Sequence, residues 1–309
     1  MKAGSNLEKV LNGGHFAVTV ELGPPKGTDV SVVKKKAEFL RGKADAINVT
    51  DCQTAVARMS SIATAAILIR MGMEPVMQMT CRDRNRIAIQ SDIFGASALG
   101  IRNMLALSGD HQSFGNQKNA RKVFDIDSIQ LLGLVKRLRD EKKSLGEEDP
   151  IQGDVPMFIG AAANPFSPPV EFRALHLKKK VDAGADFIQT QCIFDIAKFR
   201  EWMKIVCDMG IDERCSMLPG LIPLKSLGMA RYMATSVPGV IIPEAILKRL
   251  GGVPKEKVAD EGIAILCESV QELREIKGIA GVHIMAIEWE HRIPEILERA
   301  KLLPRPIVL

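Results

Sequence analysis

The chain has 309 residues, 46% hydrophobic and 26% charged, with 42 basic and 37 acidic side chains mixed along its length for a net charge of +5. That composition supports a buried core and excludes a disordered or low-complexity chain. The basic residues form no long stripe and aromatics make up 5%, which argues against a nucleic-acid surface.

Short β-rich runs recur along the chain, with amphipathic stretches between them. The first four are 16–22 "FAVTVEL", 45–51 "DAINVTD", 74–81 "EPVMQMTC" and 103–109 "NMLALSG". The second four are 156–163 "PMFIGAAA", 186–192 "DFIQTQC", 215–223 "CSMLPGLIP" and 281–287 "GVHIMAI". The intervals read as helices over 29–41, 54–72, 83–100, 126–143, 169–183, 195–209 and 225–236. A longer stretch covers 243–250 and 255–278, and a last helix 290–302. Eight strand–helix alternations predict a single-domain (β/α)8 barrel over residues 1–309. Gly184 in "VDAGAD" sits where a left-handed helix cap leads into the sixth strand.

Side chains alternate between the two faces of a strand. In strand one Val18, Val20 and Leu22 oppose Ala17, Thr19 and Glu21; in strand two Ile47 and Val49 oppose Ala46, Asn48 and Thr50. In strand four Leu105 and Leu107 oppose Ala106, Ser108 and Asp110, and in strand six Gln189 and Gln191 share a face with Phe187. The apolar parity is expected to meet the helices and the polar parity to point into the barrel. Barrel active sites lie at the C-terminal strand ends, which here supply Glu21, Thr50, Gln78, Asp110, Gln191 and the "NPFSPP" turn. The polar segment 111–125, "HQSFGNQKNARKVFD", has the length of a functional lid.

Glu21 ends a β-rich run immediately before Gly23-Pro24-Pro25. At a barrel mouth it would be poorly solvated, which raises a carboxyl pKa and suits it to general acid work. An ion pair with a lysine or a helix cap is the plain alternative. Asp110 reads either as a site residue or as the cap of the next helix, and Gln191 either as a site residue or as a partner for rim backbone. Lys178, Lys179 and Lys180 read as a solvated helix face, from which Lys180 could still reach a phosphate. The six cysteines have neither zinc nor disulfide spacing. No nucleophile triad, phosphate loop or Rossmann fingerprint is present, and the strand-end carboxylates are too few for a metal site. The N-terminal stretch lacks an apolar signal core and no run is long enough for a membrane helix, so a cytoplasmic protein without membrane contact is expected.

Taken in order, "VELGPP", "NVTD", "QMTC", "LALSGD", "KKKVDAGADFIQTQCIFD" and "PGLIPL" resemble the methylenetetrahydrofolate reductase family from about residue 15 to 290. The resemblance implies a (β/α)8 barrel with a flavin at the mouth that reduces 5,10-methylenetetrahydrofolate to 5-methyltetrahydrofolate. It implies Glu21 as general acid, with Asp110, Gln191 and Leu227 at substrate positions. It places Thr50, Gln78, Ser108, Gly109 and Asp110, and further on Ala163, His176 and Lys180, at flavin-contacting positions. FAD is the implied cofactor, with FMN as the alternative. The implied reductant is NAD(P)H or an iron–sulfur or zinc partner subunit, and the implied state is an oligomer. Departures from the family pattern are Ser108 where an Arg is common, Gln78 where a His is common, the stretch Ala163-Asn164-Pro165-Phe166-Ser167, and Leu227 in place of an aromatic. Two readings of other classes remain beside it: a flavin-free folate-binding methyltransferase barrel, and a non-catalytic docking subunit of an electron-transfer complex.

Overall fold

A computed structural model describes residues 1–308. Eight parallel strands close in chain order: β1 (Ala17–Leu22), β2 (Ala46–Val49), β3 (Pro75–Thr80), β4 (Asn103–Leu107), β5 (Phe158–Ala163), β6 (Phe187–Cys192), β7 (Ser216–Leu221) and β8 (Gly281–Ile284), with β8 pairing back onto β1. The expected (β/α)8 barrel is the observed one. Its outer ring is α2 (Val30–Leu40), α3 (Ser61–Arg70), α4 (Arg86–Ala98), α5 (Ser128–Asp140), α6 (Arg173–Ala183), α7 (Ile196–Asp208), α8 (Leu227–Ser236), α9 (Glu244–Gly251), α10 (Val258–Arg274) and α11 (Ile293–Arg299). Gly184 ends α6 at φ 123°.

The helices are shorter than the hydrophobic pattern suggests. Where the sequence predicts one helix over 54–72, Cys52, Thr54 and Ala55 adopt positive φ around a 3-10 turn. The helix proper starts only at Ser61, where the Ser60 hydroxyl accepts from the Ala63 amide. The apolar spacing continues through this turn, but the backbone does not.

One helix precedes the barrel and has no counterpart in the sequence reading: α1 (Asn6–Asn12). Ser5 caps it, and the Glu8 carboxylate accepts from the amides of Ala3 and Gly4 at 2.9 and 2.7 Å. Its Leu7 and Val10 are fully buried against Ala17, Ala46, Val76, Leu105, Phe158, Phe187 and Leu218. These side chains fill the N-terminal end of the barrel, and α1 closes it. Phe187 stacks on Phe158 with ring centroids 5.2 Å apart. A β-carbon at position 160 would stand 2.3 Å from the Phe187 ring, so the neighbouring strand needs Gly160 there.

Above this apolar base lies a polar layer. Asn48 and Gln189 exchange hydrogen bonds, Nδ2 to Oε1 at 2.6 Å and Nε2 to Oδ1 at 3.0 Å. Gln189 also donates to Thr19 at 2.9 Å, and Thr19 Oγ1 pairs with His283 Nδ1 at 2.9 Å. Interior amides cost free energy unless bonded; here they bond each other across the barrel. The parity read for β1, β2 and β6 therefore holds.

For β4 it does not. Leu105 and Leu107 face the interior, while Ala106 packs outward with the helices. The strand then ends at Leu107, and Ser108–Asp110 leave the sheet through Gly109, whose φ is 91°.

Candidate active site

A cavity of about 320 Å³ opens on the polar layer at the C-terminal end of the barrel. Gln189 and His283 form its floor. His283 is buried and its pKa is pushed down to about 3, chiefly by burial, so the imidazole is neutral at ordinary pH. Leu105, Leu107, Ala162, Ala163 and Met285 provide apolar wall, while Gln78, Thr190 and Gln191 add polar rim.

Glu21 lies on this cavity as the next inward residue of β1 after Thr19. Its carboxyl pKa is raised from 4.5 to about 7. Burial is the first cause and the negative charge of Glu290 the second; the Gln78 amide and the Lys36 ammonium oppose them. Among the described residues Glu21 makes no salt bridge of its own, because Lys36 pairs with Glu290 at 2.9 Å. Near neutrality this carboxyl is therefore divided between a form that can give a proton and a form that can take one, the condition for a general acid or base.

The opposite wall is basic. Arg173, His176 and Lys180 recur at i, i+3 and i+7 along α6 and line the same cavity. Lys180 is buried, not solvated: its ammonium donates to the Ala162 carbonyl at 2.6 Å. Its pKa falls to about 8 through burial, with Asp127 pulling the other way and Arg173 adding to the fall. Burial and the cations of Lys180, Arg173 and Lys179 hold His176 below its usual value. Lys178, in contrast, stays on the outer face with Asp182 at 2.6 Å.

The cavity thus gathers Glu21, Gln78, Ala163, His176, Lys180 and Gln191 from the residues singled out in the sequence. Gln191 also bonds backbone, accepting from the Cys192 amide at 3.0 Å. Thr50, Ser108, Gly109, Asp110 and Leu227 do not line it. Thr50 is buried and donates to Gln53 at 2.6 Å; Ser108 is exposed and bonds Ser128 at 3.2 Å. Asp110 caps no helix. It is exposed and accepts from the Thr54 amide at 3.0 Å, fixing the left-handed turn at the β2 exit. Leu227 packs with the partly buried side chains around α8 and α9. The 111–125 segment lies outside the cavity lining as well. Its 3-10 turn (Gln112–Phe114) packs on the 53–55 turn, and a β-carbon at Gly115 would come within 1.9 Å of the Ala55 carbonyl.

Of the lining residues with titratable side chains, two were not anticipated from the sequence, His283 and Arg173. His283 follows the period of two from Gly281, and Arg173 the helical spacing to His176 and Lys180; either pattern was sufficient to find them.

The methylenetetrahydrofolate reductase family model matches residues 6–301. The chain belongs to that family. It is 29% identical over 252 residues to methylenetetrahydrofolate reductase 2 of Saccharomyces cerevisiae, covering 79% of this chain and 39% of the yeast protein. With 5,10-methylenetetrahydrofolate reductase of Salmonella typhimurium it shares 27% identity over 165 residues, 53% of this chain and 49% of that one. The chain thus spans about two fifths to one half of the length of these methylenetetrahydrofolate reductases. Among solved structures, a Clostridium thermocellum protein described as binding two copies of 5-methyl-5,6,7,8-tetrahydrofolic acid superposes with a TM-score of 0.65. The match covers 97% of this chain and 99% of that one at 12% identity, a likeness of fold. No helix among the described residues is long and apolar enough to cross a membrane.

Proposed function

We propose that this barrel reduces 5,10-methylenetetrahydrofolate to 5-methyltetrahydrofolate, with a reduced flavin as hydride donor and Glu21 as proton donor. The observation that carries the reading is the Glu21 carboxyl, raised to about 7 on a cavity that it shares with Gln78, Gln189 and Gln191, in a chain of this family. The folate described for the Clostridium thermocellum relative of fold agrees with it.

The residues present fit a flavin. Leu107, Ala162 and Ala163 suit one side of a flat ring, and Arg173, His176 and Lys180 suit the phosphate that follows it. FAD and FMN share both features. A flavin bound there supplies the hydride. The protein supplies the rest. Glu21 holds a proton on its carboxyl and gives it to N10 of the folate, opening the bridge between N5 and N10; the one-carbon unit left on N5 takes the hydride and becomes a methyl group. The amides of Gln78 and Gln191 orient the pterin, and the apolar wall keeps water from the reacting carbon. Restoring the reduced flavin falls to NAD(P)H or to a partner carrying an iron–sulfur or zinc centre. The protein works in the cytoplasm, as a single-domain catalytic barrel that associates into an oligomer.

Glu21→Gln tests the proton step. Reconstituted with FAD or FMN and reduced chemically, the variant is expected to bleach normally. On mixing with methylenetetrahydrofolate it should reoxidise about 10²–10⁴-fold more slowly than the wild type. A near-normal rate removes Glu21 from the mechanism. A protein that takes up neither flavin overturns the reading altogether.

A further inference from the structure

Behind the rim that carries Glu21 stands a second acid that the reaction above does not use. Glu290 lies on the 3-10 turn (Glu290–Arg292) after β8 and is only 4% exposed. A carboxylate at that depth costs several kcal/mol unless it is paired. Its partner comes from α2: Lys36 Nζ lies 2.9 Å from Glu290 Oε1. The same ammonium donates to the Gly23 carbonyl at 3.3 Å, two residues past Glu21 on the β1 exit. One lysine therefore ties the buried acid to the backbone that presents Glu21. Neither Lys36 nor Glu290 lines the cavity.

Buried ion pairs are seldom more stabilising than an apolar pair of similar shape. This one stands beside a carboxyl whose protonation matters. We propose that Glu290, anchored by Lys36, is a positioning residue for Glu21 that sets the pH at which Glu21 releases its proton. The inference rests on the reading of Glu21 given above.

Two carboxyl groups that feel each other do not ionise independently. Lys36 stands between the two, paired with Glu290 and bonded to the Gly23 carbonyl beside Glu21. Of the two charges, the upward push of Glu290 on Glu21 outweighs the downward pull of Lys36. Gln78 of β3 opposes the push. Arg173, His176 and Lys180 face Glu21 from α6, and His283 beneath it is neutral. Lys225, before α8, stands 5.1 Å over the Trp289 ring, donates to the Ile287 carbonyl and feels Glu290 and Glu288. On the turn itself His291 packs edge-on to Phe39 of α2, and Arg292 is taken up by Asp260 and Glu295.

The test is a pH titration of the Glu21 carboxyl by infrared difference spectroscopy on the full-length protein, the band being assigned by its loss in Glu21→Gln. Glu290→Gln is expected to lower the midpoint by roughly one pH unit, a tenfold drop in protonated Glu21 at a fixed pH above it. Glu290→Asp, which keeps the charge, should return the midpoint towards the wild type. The double variant Lys36→Met/Glu290→Gln leaves no buried charge unpaired and serves if the single one does not fold. Its midpoint should also fall, by less, because the pull of Lys36 is lost too. An unmoved midpoint in the folded neutral variants overturns the inference. In single-turnover folate reduction the pH limb should shift with the band. If the band moves and the limb does not, the coupling stands and the role of Glu21 as proton donor falls.

Discussion

The raised carboxyl of Glu21 has a consequence for stability that can be measured without substrate or cofactor. An unfolded chain returns this group to about 4.5, whereas the folded barrel holds it near 7. Between those values the folded protein keeps a proton that the unfolded chain has released. Stability changes with pH in proportion to the protons bound by the unfolded state minus those bound by the native state, and that difference is negative here. The Glu21 contribution is therefore neutral below about pH 4.5 and turns against folding as pH rises, levelling off above about 7. About 2.5 pH units at about 1.36 kcal/mol each amounts to roughly 3 kcal/mol. Glu21→Gln, which cannot ionise, escapes this loss. In urea unfolding of both proteins from pH 5 to pH 8, the variant should gain on the wild type by about 2–3 kcal/mol, with most of the gain below pH 7. Titrating groups that do not feel Glu21 are common to the two proteins and cancel. Parallel curves would show that the folded barrel does not hold the Glu21 proton, and the acid role would lose its physical basis.

Other consequences follow from the barrel interior. Gly160→Ala places a methyl 2.3 Å from the Phe187 ring, and overpacking there should cost about 1–3 kcal/mol in urea unfolding; a neutral effect would mean that the basal layer yields easily. Gln189→Leu strips partners from Asn48 and Thr19 together and should destabilise by about 1–3 kcal/mol, seen as a lower urea midpoint at unchanged slope. An unchanged midpoint would mean that water replaces the lost amide.

The fold was legible because a closed barrel repeats one local pattern. A short β-rich run, an amphipathic stretch and a turn recur until the ring shuts, and each unit is visible within about thirty residues. The same holds for Glu21, whose inward position follows from period two in "AVTVEL". Strand four shows where period two fails. Alternation holds from Asn103 to Leu107, but which parity faces inward depends on what the neighbours leave room for. Here the interior accepts leucine, and Asp110 is past the end of the strand. The α1 helix was visible in principle, since Leu7, Val10 and Leu11 share a helical face, but only the fold shows that a barrel end needs filling. The Lys36–Glu290 pair had no signature at all. Its members lie near opposite ends of the chain and meet only because β8 closes onto β1.

That closure and the α1 plug together make the barrel a blind alley. With Leu7 and Val10 sealing one end, nothing crosses the barrel from base to rim. Under the proposed function, a folate and a nicotinamide that each need the flavin would use the same open rim, and in turn. For the proposed chemistry this makes alternation a matter of architecture: the second visitor waits until the first has gone.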